Sequence, residues 1–293
     1  MRELKVEVIE CLRKNPLAHS VEAEADRILL HVFSRNRPEL DSFGKMVLAA
    51  PVATPSEREE ALALASARAQ GAPLQHLLGF QIFRNHEYEV NASTLIPRPE
   101  TEILVDAVCA RIREQGPTTS LRLGELGLGT GVISLEVLSE FPGAVSWASE
   151  SSEEAISLAR RNSIRVLGAG QEHRLTPLLV MKDQGFEALM DAGPFDWILS
   201  NPPYLSTSDE IDPEVLAHEP RGALFPSCGN PDFFYESFLA HRSALLRPGG
   251  RACFEIPHER AAPLERLFHA AGARRVLVIP DLTGRPRVLQ AEF

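Results

Sequence analysis

The chain has 293 residues of ordinary globular composition, 44% hydrophobic and 24% charged. That length suits two domains, and no apolar run approaches the ~18–20 residues that span a bilayer. Residues 1–85 hold 11 basic and 11 acidic residues, whereas 86–293 hold 19 and 29, so the whole net charge of −10 falls in the second part, a poor match for a phosphate backbone. Cys11, Cys109, Cys228 and Cys253 are scattered, without a Cys-x-x-Cys pair or a nearby His cluster. Neither a zinc site nor a disulfide framework is expected, and a reducing cytoplasm fits. The start, Met1-Arg2-Glu3-Leu4-Lys5, lacks the apolar core of a signal peptide.

Residues 1–75 read as helices. Val21, Ala25, Ile28, Leu29, Val32 and Phe33 recur at helical spacing. Thr54-Pro55-Ser56-Glu57 is a helix start, with a capping Thr, Pro at the first helical position and Glu completing a capping box. The alanine-rich stretch from Ala61 then runs to a stop at Gly71. Phe80, Ile82 and Phe83, followed by Tyr88 and Val90, predict a hairpin around Asn85-His86. In Leu95-Ile96-Pro97-Arg98-Pro99-Glu100-Thr101-Glu102 the prolines forbid a regular element until Pro99, after which Ile103, Leu104 and Val108 resume a helical period.

From residue 121 strands and helices alternate. Strands are expected at 121–126, 145–150, 178–180, 197–199 and 251–256, with two more in the tail at 276–279 and 288–293. Helices are expected at 132–141, 152–167, 233–246 and 261–271, and Pro248-Gly249-Gly250 reads as a turn. This order predicts a parallel sheet with helices on both faces.

Two motifs carry chemistry. Gly127-Leu128-Gly129-Thr130-Gly131 joins the first of these strands to a helix, and alternate glycines let backbone turn tightly and approach a ligand closely. Glu150 ends the next strand, 19 residues after Gly131, where a carboxylate can accept both hydroxyls of a ribose. This spacing does not separate NAD from S-adenosylmethionine. Asn201-Pro202-Pro203-Tyr204 does, because it follows a buried strand with a carboxamide, a rigid proline pair and an aromatic ring. The Asn201 oxygen and a backbone carbonyl held by the prolines can accept both hydrogens of a planar NH2 group, and Tyr204 can cover its flat face. No hydride-transfer constellation accompanies it. Asp183, before Gln184, stands where an adenine amino group needs an acceptor.

At this point the chain resembles the release-factor glutamine methyltransferases, from about Arg68 to the end and more loosely before it. The carrying residues are Gly71-Ala72-Pro73-Leu74, Gly79 with Phe83, Leu95 to Glu102, the glycine loop, Glu150, Asn201 to Tyr204, Glu219-Pro220-Arg221 with Ala223-Leu224, Leu246 to Gly250, Glu255-Ile256 and Asp281 to Arg285. The resemblance implies a helical substrate-recognition domain over 1–78, a hairpin connector over 79–96, and over 97–293 a class I methyltransferase domain, an α/β Rossmann-like fold of seven strands with the last antiparallel. It implies S-adenosylmethionine as cofactor and transfer of its methyl group to the side-chain amide of the glutamine in the Gly-Gly-Gln motif of peptide chain release factors.

Carried over by position, Gly127, Leu128, Gly129, Thr130 and Gly131 wrap the cofactor, Glu150 holds its ribose, Asp183 and Gln184 meet its adenine, and Asn201 to Tyr204 bind the substrate amide. Arg98, Pro99, Thr101 and Glu102 support the site. A sister group that methylates a ribosomal protein tends to read Pro-Arg-Ser-Pro where this chain has Pro97-Arg98-Pro99-Glu100, which favours the release-factor branch. The chain departs from the family pattern at Leu128, at Glu150 (more often Asp), over Pro226 to Phe233, at Pro257 and at Arg260. Two other readings compete. One is adenine-N6 methylation of nucleic acid, which needs base flipping and a basic groove; the other is a cofactor-binding partner protein that has lost catalysis.

Overall fold

The computed structural model describes residues 1–15, 20–116 and 120–293. By its contacts the chain divides into two compact units, one formed by Met1–Phe80 with Asp212–His218, the other by Gln81–Ile211 with Glu219–Phe293.

The first unit contains α1 (Arg2–Leu12), α2 (Val21–Asn36), α3 (Phe43–Ala49), α4 (Pro55–Ala69) and α5 (Leu74–Leu78). Its core is the apolar stripe read from the sequence, Ala25, Ile28, Leu29, Val32 and Phe33, packed against Leu4, Val8, Leu12, Ala61 and Ala65. The capping box at α4 is present: Glu57 N–H donates to the Thr54 hydroxyl (3.2 Å), and the Glu57 carboxylate accepts from Thr54 N–H (2.7 Å).

The hairpin pairs β1 (Phe80–Phe83) with β2 (His86–Glu89). Then follow α6 (Pro99–Glu114), β3 (Leu121–Leu126), α7 (Val132–Glu140), β4 (Ala144–Glu150), α8 (Glu153–Leu167), β5 (Leu175–Leu179), α9 (Gly185–Met190) and β6 (Phe195–Ser200). The rest comprises α10 (Pro213–His218), α11 (Arg221–Leu224), α12 (Phe233–Leu245), β7 (Leu246–Glu255), α13 (Ala261–Ala270), β8 (Arg275–Pro280) and β9 (Pro286–Glu292). Among the described residues the second unit builds a seven-stranded sheet in the order β5-β4-β3-β6-β7-β9-β8. β3 to β7 pair in parallel, and β9 is antiparallel to both its neighbours.

Both faces are covered, as the consecutive apolar residues Trp197-Ile198-Leu199 of β6 and Ala252-Cys253-Phe254 of β7 require. Trp197, Leu199 and Cys253 join the core under α6 and α7, whereas Ile198, Ala252 and Phe254 join that under α9, α12 and α13.

Two local expectations are corrected. β5 begins at Leu175 rather than 178, because Pro177 is accommodated within an edge strand, the place where a missing N–H does least harm. Pro248-Gly249-Gly250 is not a free turn. It is an irregularity inside β7, where the register against β6 shifts between Phe195 and Trp197, and its backbone is tied to Phe293 through Gly249 N–H and the Gly250 carbonyl.

Candidate active site

The strand order reverses at β3, whose neighbours are β4 on one side and β6 on the other. In open α/β sheets the crevice beyond the carboxyl ends at such a switch point is where ligands bind. Register makes this concrete. Leu126, the last residue of β3, pairs with Ser149 of β4 and Ser200 of β6. The next residues along each strand are therefore the glycine loop, Glu150 and Asn201, and all three line one cavity. The Ser200 hydroxyl, donating to the Leu126 carbonyl at 2.9 Å, ties the β3 and β6 ends together.

In the loop, Gly127, Gly129 and Gly131 all lie at positive φ (77°, 53° and 86°), which a side chain would strain. Glu150 binds this loop directly. One carboxylate oxygen accepts from Gly129 N–H (2.9 Å), the other from Ser151 N–H (2.7 Å) and Ser152 N–H (3.0 Å) at the start of α8. The carboxylate thus fixes the loop against β4 while its flank borders the cavity.

Glu125, inside β3, also lines the cavity and is buried. It accepts from the Ser134 N–H (3.1 Å) and hydroxyl, yet burial pushes its pKa up to about 8. Leu126, Leu128, Val132, Ile133 and Phe234 add apolar walls. Asp183 lines the same cavity and holds a left-handed backbone at φ 67°, an uncommon conformation for a residue other than glycine. Gln184 is exposed and is not part of the lining.

Of the Asn-Pro-Pro-Tyr residues, Asn201 and Pro203 line the cavity. Pro202 is buried, and Tyr204 packs partly buried beside the α12–α13 core. The Tyr204 hydroxyl donates to Glu255 at 3.2 Å rather than facing the cavity, and burial raises its pKa far above the usual phenol value. The Asn201 amide N–H donates to the Thr101 hydroxyl (3.2 Å), and Thr101 donates to the other Glu255 oxygen (2.7 Å).

The 98–102 segment is divided. Arg98 and Thr101 line the cavity, and Arg98 pairs with buried Glu219, which also accepts from Ile96 N–H at 3.2 Å. Pro99 opens α6, whereas the Glu102 carboxylate accepts from Arg84 N–H and does not line the cavity. Sequence reasoning did not single out Glu125, Glu219 or Glu255 as site residues. The available signal was an acid set among apolar neighbours at a strand end, as in Ala252-Cys253-Phe254-Glu255-Ile256. Two departures from the family pattern meet: the Arg260 guanidinium donates to Asp232 (3.1 Å).

The lining suits a ligand with a cationic centre, a sugar and a flat base. Two carboxylates (Glu150 and Asp183) and the buried, protonated Glu125 border it, backbone approaches closely at the glycines, and apolar side chains form the remaining walls. S-adenosylmethionine has those parts.

A protein-family model described as "Methyltransferase small domain" matches residues 101–218. The chain is similar to a release factor glutamine methyltransferase of Caulobacter vibrioides, 34% identical over 226 residues covering 76% of this chain and 74% of that one. It is similar to another of Xylella fastidiosa, 33% identical over 266 residues covering 90% of each. Among solved structures it is similar to the protein-(glutamine-N5) methyltransferase (release factor-specific) of Alicyclobacillus acidocaldarius. That match is 25% identical with a TM-score of 0.41, covering 70% of this chain and 98% of the other. Among the described residues, no helix is long and apolar enough to cross a membrane.

Proposed function

The chain belongs to the release factor glutamine methyltransferase family, and from that premise we propose that it methylates the side-chain amide nitrogen of a peptide chain release factor glutamine, in the Gly-Gly-Gln motif, with S-adenosylmethionine as donor. The observation that carries this reading is the convergence of the glycine loop, Glu150 and Asn201 on one cavity at the switch point. The cofactor supplies an electrophilic methyl group; the protein supplies position.

An amide nitrogen is a weak nucleophile, because its lone pair is delocalised into the carbonyl, and no side chain removes its proton before transfer; the new C–N bond would form as the donor's C–S bond breaks, and the methylated nitrogen, then strongly acidic, would release its proton to water. Catalysis is therefore by alignment. Asn201 and the Pro202 carbonyl accept the two amide hydrogens, turn the nitrogen toward the methyl group and favour the positive charge that develops on it. Glu150 and Asp183 hold the ribose and adenine, and the loop amides wrap the remainder. The helical unit is assigned recognition of the protein substrate, and the enzyme a cytoplasmic setting with neither nucleic acid nor membrane as partner.

The test offers labelled S-adenosylmethionine with a release factor, its Gln-substituted variant, a ribosomal protein and DNA. Labelling of the release factor that disappears with the glutamine is expected; label on the ribosomal protein or DNA alone would reject the substrate. Asn201→Ala is expected to lower kcat by about 10²-fold or more, the scale of losing one preorganised transition-state contact, with cofactor affinity largely intact. Wild-type turnover in that variant would sink the mechanism.

A further inference from the structure

An asparagine is a useful acceptor only if its amide faces the right way. Oxygen and nitrogen ends have nearly the same shape, and an amide turned by 180° would set NH2 against the substrate's NH2. Something beyond Asn201 must choose between the two. Thr101, near the start of α6, sits 100 residues away in sequence, with its hydroxyl oxygen 3.2 Å from Asn201 Nδ2. A hydroxyl has a single proton, and that of Thr101 goes to Glu255 Oε2 at 2.7 Å. Toward Asn201 it therefore presents only lone pairs, which accept from Nδ2 and repel Oδ1. Glu255 is itself fixed. It is 3% exposed at the end of β7, and its second oxygen accepts from Tyr204.

We propose that Thr101 and Glu255 are positioning residues for the transfer, a hydrogen-bonded relay that holds the Asn201 carboxamide with its oxygen presented to the substrate amide. Tyr204 belongs to the same relay: its hydroxyl anchors Glu255. The relay spans α6, β7 and the loop after β6, so the acceptor is oriented by three separate elements. This inference rests on the amide-methylation reading for its kinetic consequence, but its geometry stands without it.

The experiment compares wild type, Thr101→Val, which keeps the shape and removes the hydroxyl, and Thr101→Ser, which keeps the hydroxyl. With purified release factor and S-adenosylmethionine, Thr101→Val is expected to lower kcat about tenfold or more, the effect of one lost orienting hydrogen bond. KM for the release factor and affinity for the cofactor stay within about twofold, because the bond orients without binding. Thr101→Ser is expected to recover most of kcat. The second readout needs no activity. The side-chain NH2 resonance of Asn201, assigned by its loss in Asn201→Ala, is expected to be hydrogen-bonded and slowly exchanging in wild type and Thr101→Ser but not in Thr101→Val. Unchanged kcat in a folded Thr101→Val, a serine variant as slow as the valine one, or an Asn201 resonance indifferent to both substitutions would overturn the relay. If wild type itself transfers no methyl group to the glutamine, the amide-methylation reading fails and the resonance alone decides the relay.

Discussion

Glu125 shows how one residue can carry a pH signature. Its ordinary pKa is 4.5, and in the folded chain burial, aided by the charge of Glu150, lifts it to about 8 against the opposing Ser134 bonds. Below pH 4.5 both folded and unfolded chains hold the proton, and the folded state suffers nothing. Between 4.5 and 8 the unfolded chain releases a proton that the folded chain keeps, so stability falls as pH rises and levels off above 8. The loss is on the order of 1–4 kcal/mol. Glu125→Gln cannot titrate. Its urea midpoint is expected to change less between pH 5 and pH 8 than that of wild type, and parallel changes in the two proteins would refute this account. Glu255 is raised in the same direction, chiefly by burial and against its bonds from Thr101 and Tyr204, so a slope of the same sign should persist in the variant. Of these acids, only Glu150 was expected at the site from the sequence. Its place at a strand end after a glycine loop is a local pattern, whereas Glu125 and Glu255 matter through partners brought by other elements.

At the scale of elements, β3 is the pivot. Its Gly124 has no room for a side chain: an added Cβ would stand 2.6 Å from Ile198 Cδ1 and 2.9 Å from the Phe195 ring. Both neighbours are in β6, so β3 and β6 pack closely just below the cavity. Gly124→Ala is expected to cost about 1–3 kcal/mol through overpacking, seen as a lower Tm, and an unchanged or raised Tm would show that the Ile198 and Phe195 side chains move aside easily. Element type was legible for the strands and the longer helices of this unit, because alternating strand and helix patterns depend on residues a few positions apart, but not for the short α9 and α11, which span too few turns to show a period. The misplacements at β5 and β7 share a cause. Proline and glycine read as breakers in isolation, but Pro177 lies in an edge strand and Pro248-Gly249-Gly250 is held in an irregular pairing. Neighbouring strands, not the local sequence, decide whether a breaker ends a strand.

For the whole molecule, one short segment carries the lesson. Asp212–His218 belongs to the compact unit of the first 80 residues. Arg68, 4% exposed, donates to Glu24 through two nitrogens and to Glu214 at 2.6 Å, a partner 146 residues away. Burial alone would lower its pKa, yet the two carboxylates leave it raised. Glu214→Ala removes one of those partners from a buried guanidinium. The expected cost is about 1–3 kcal/mol, the penalty of leaving buried donors unsatisfied. Faster amide exchange in α4 around Arg68 would report it, and unchanged exchange there would mean that Glu24 suffices.

Features written in short spacings were legible along the chain: the helical first part, the capping box at Thr54, the alternating α/β order, the glycine loop with Glu150, and Asn201-Pro202-Pro203 after a buried strand. Packing between elements distant in sequence set which way those groups face. It set the Tyr204 hydroxyl against Glu255, placed Arg98 and Thr101 in the lining but not Glu102, and joined Thr101 to Asn201 and Glu255 across 100 and 154 residues. The reason is physical. Backbone conformation responds to neighbours along the chain, whereas a hydroxyl or carboxylate is oriented by whichever partner the packed strands and helices bring within 3 Å.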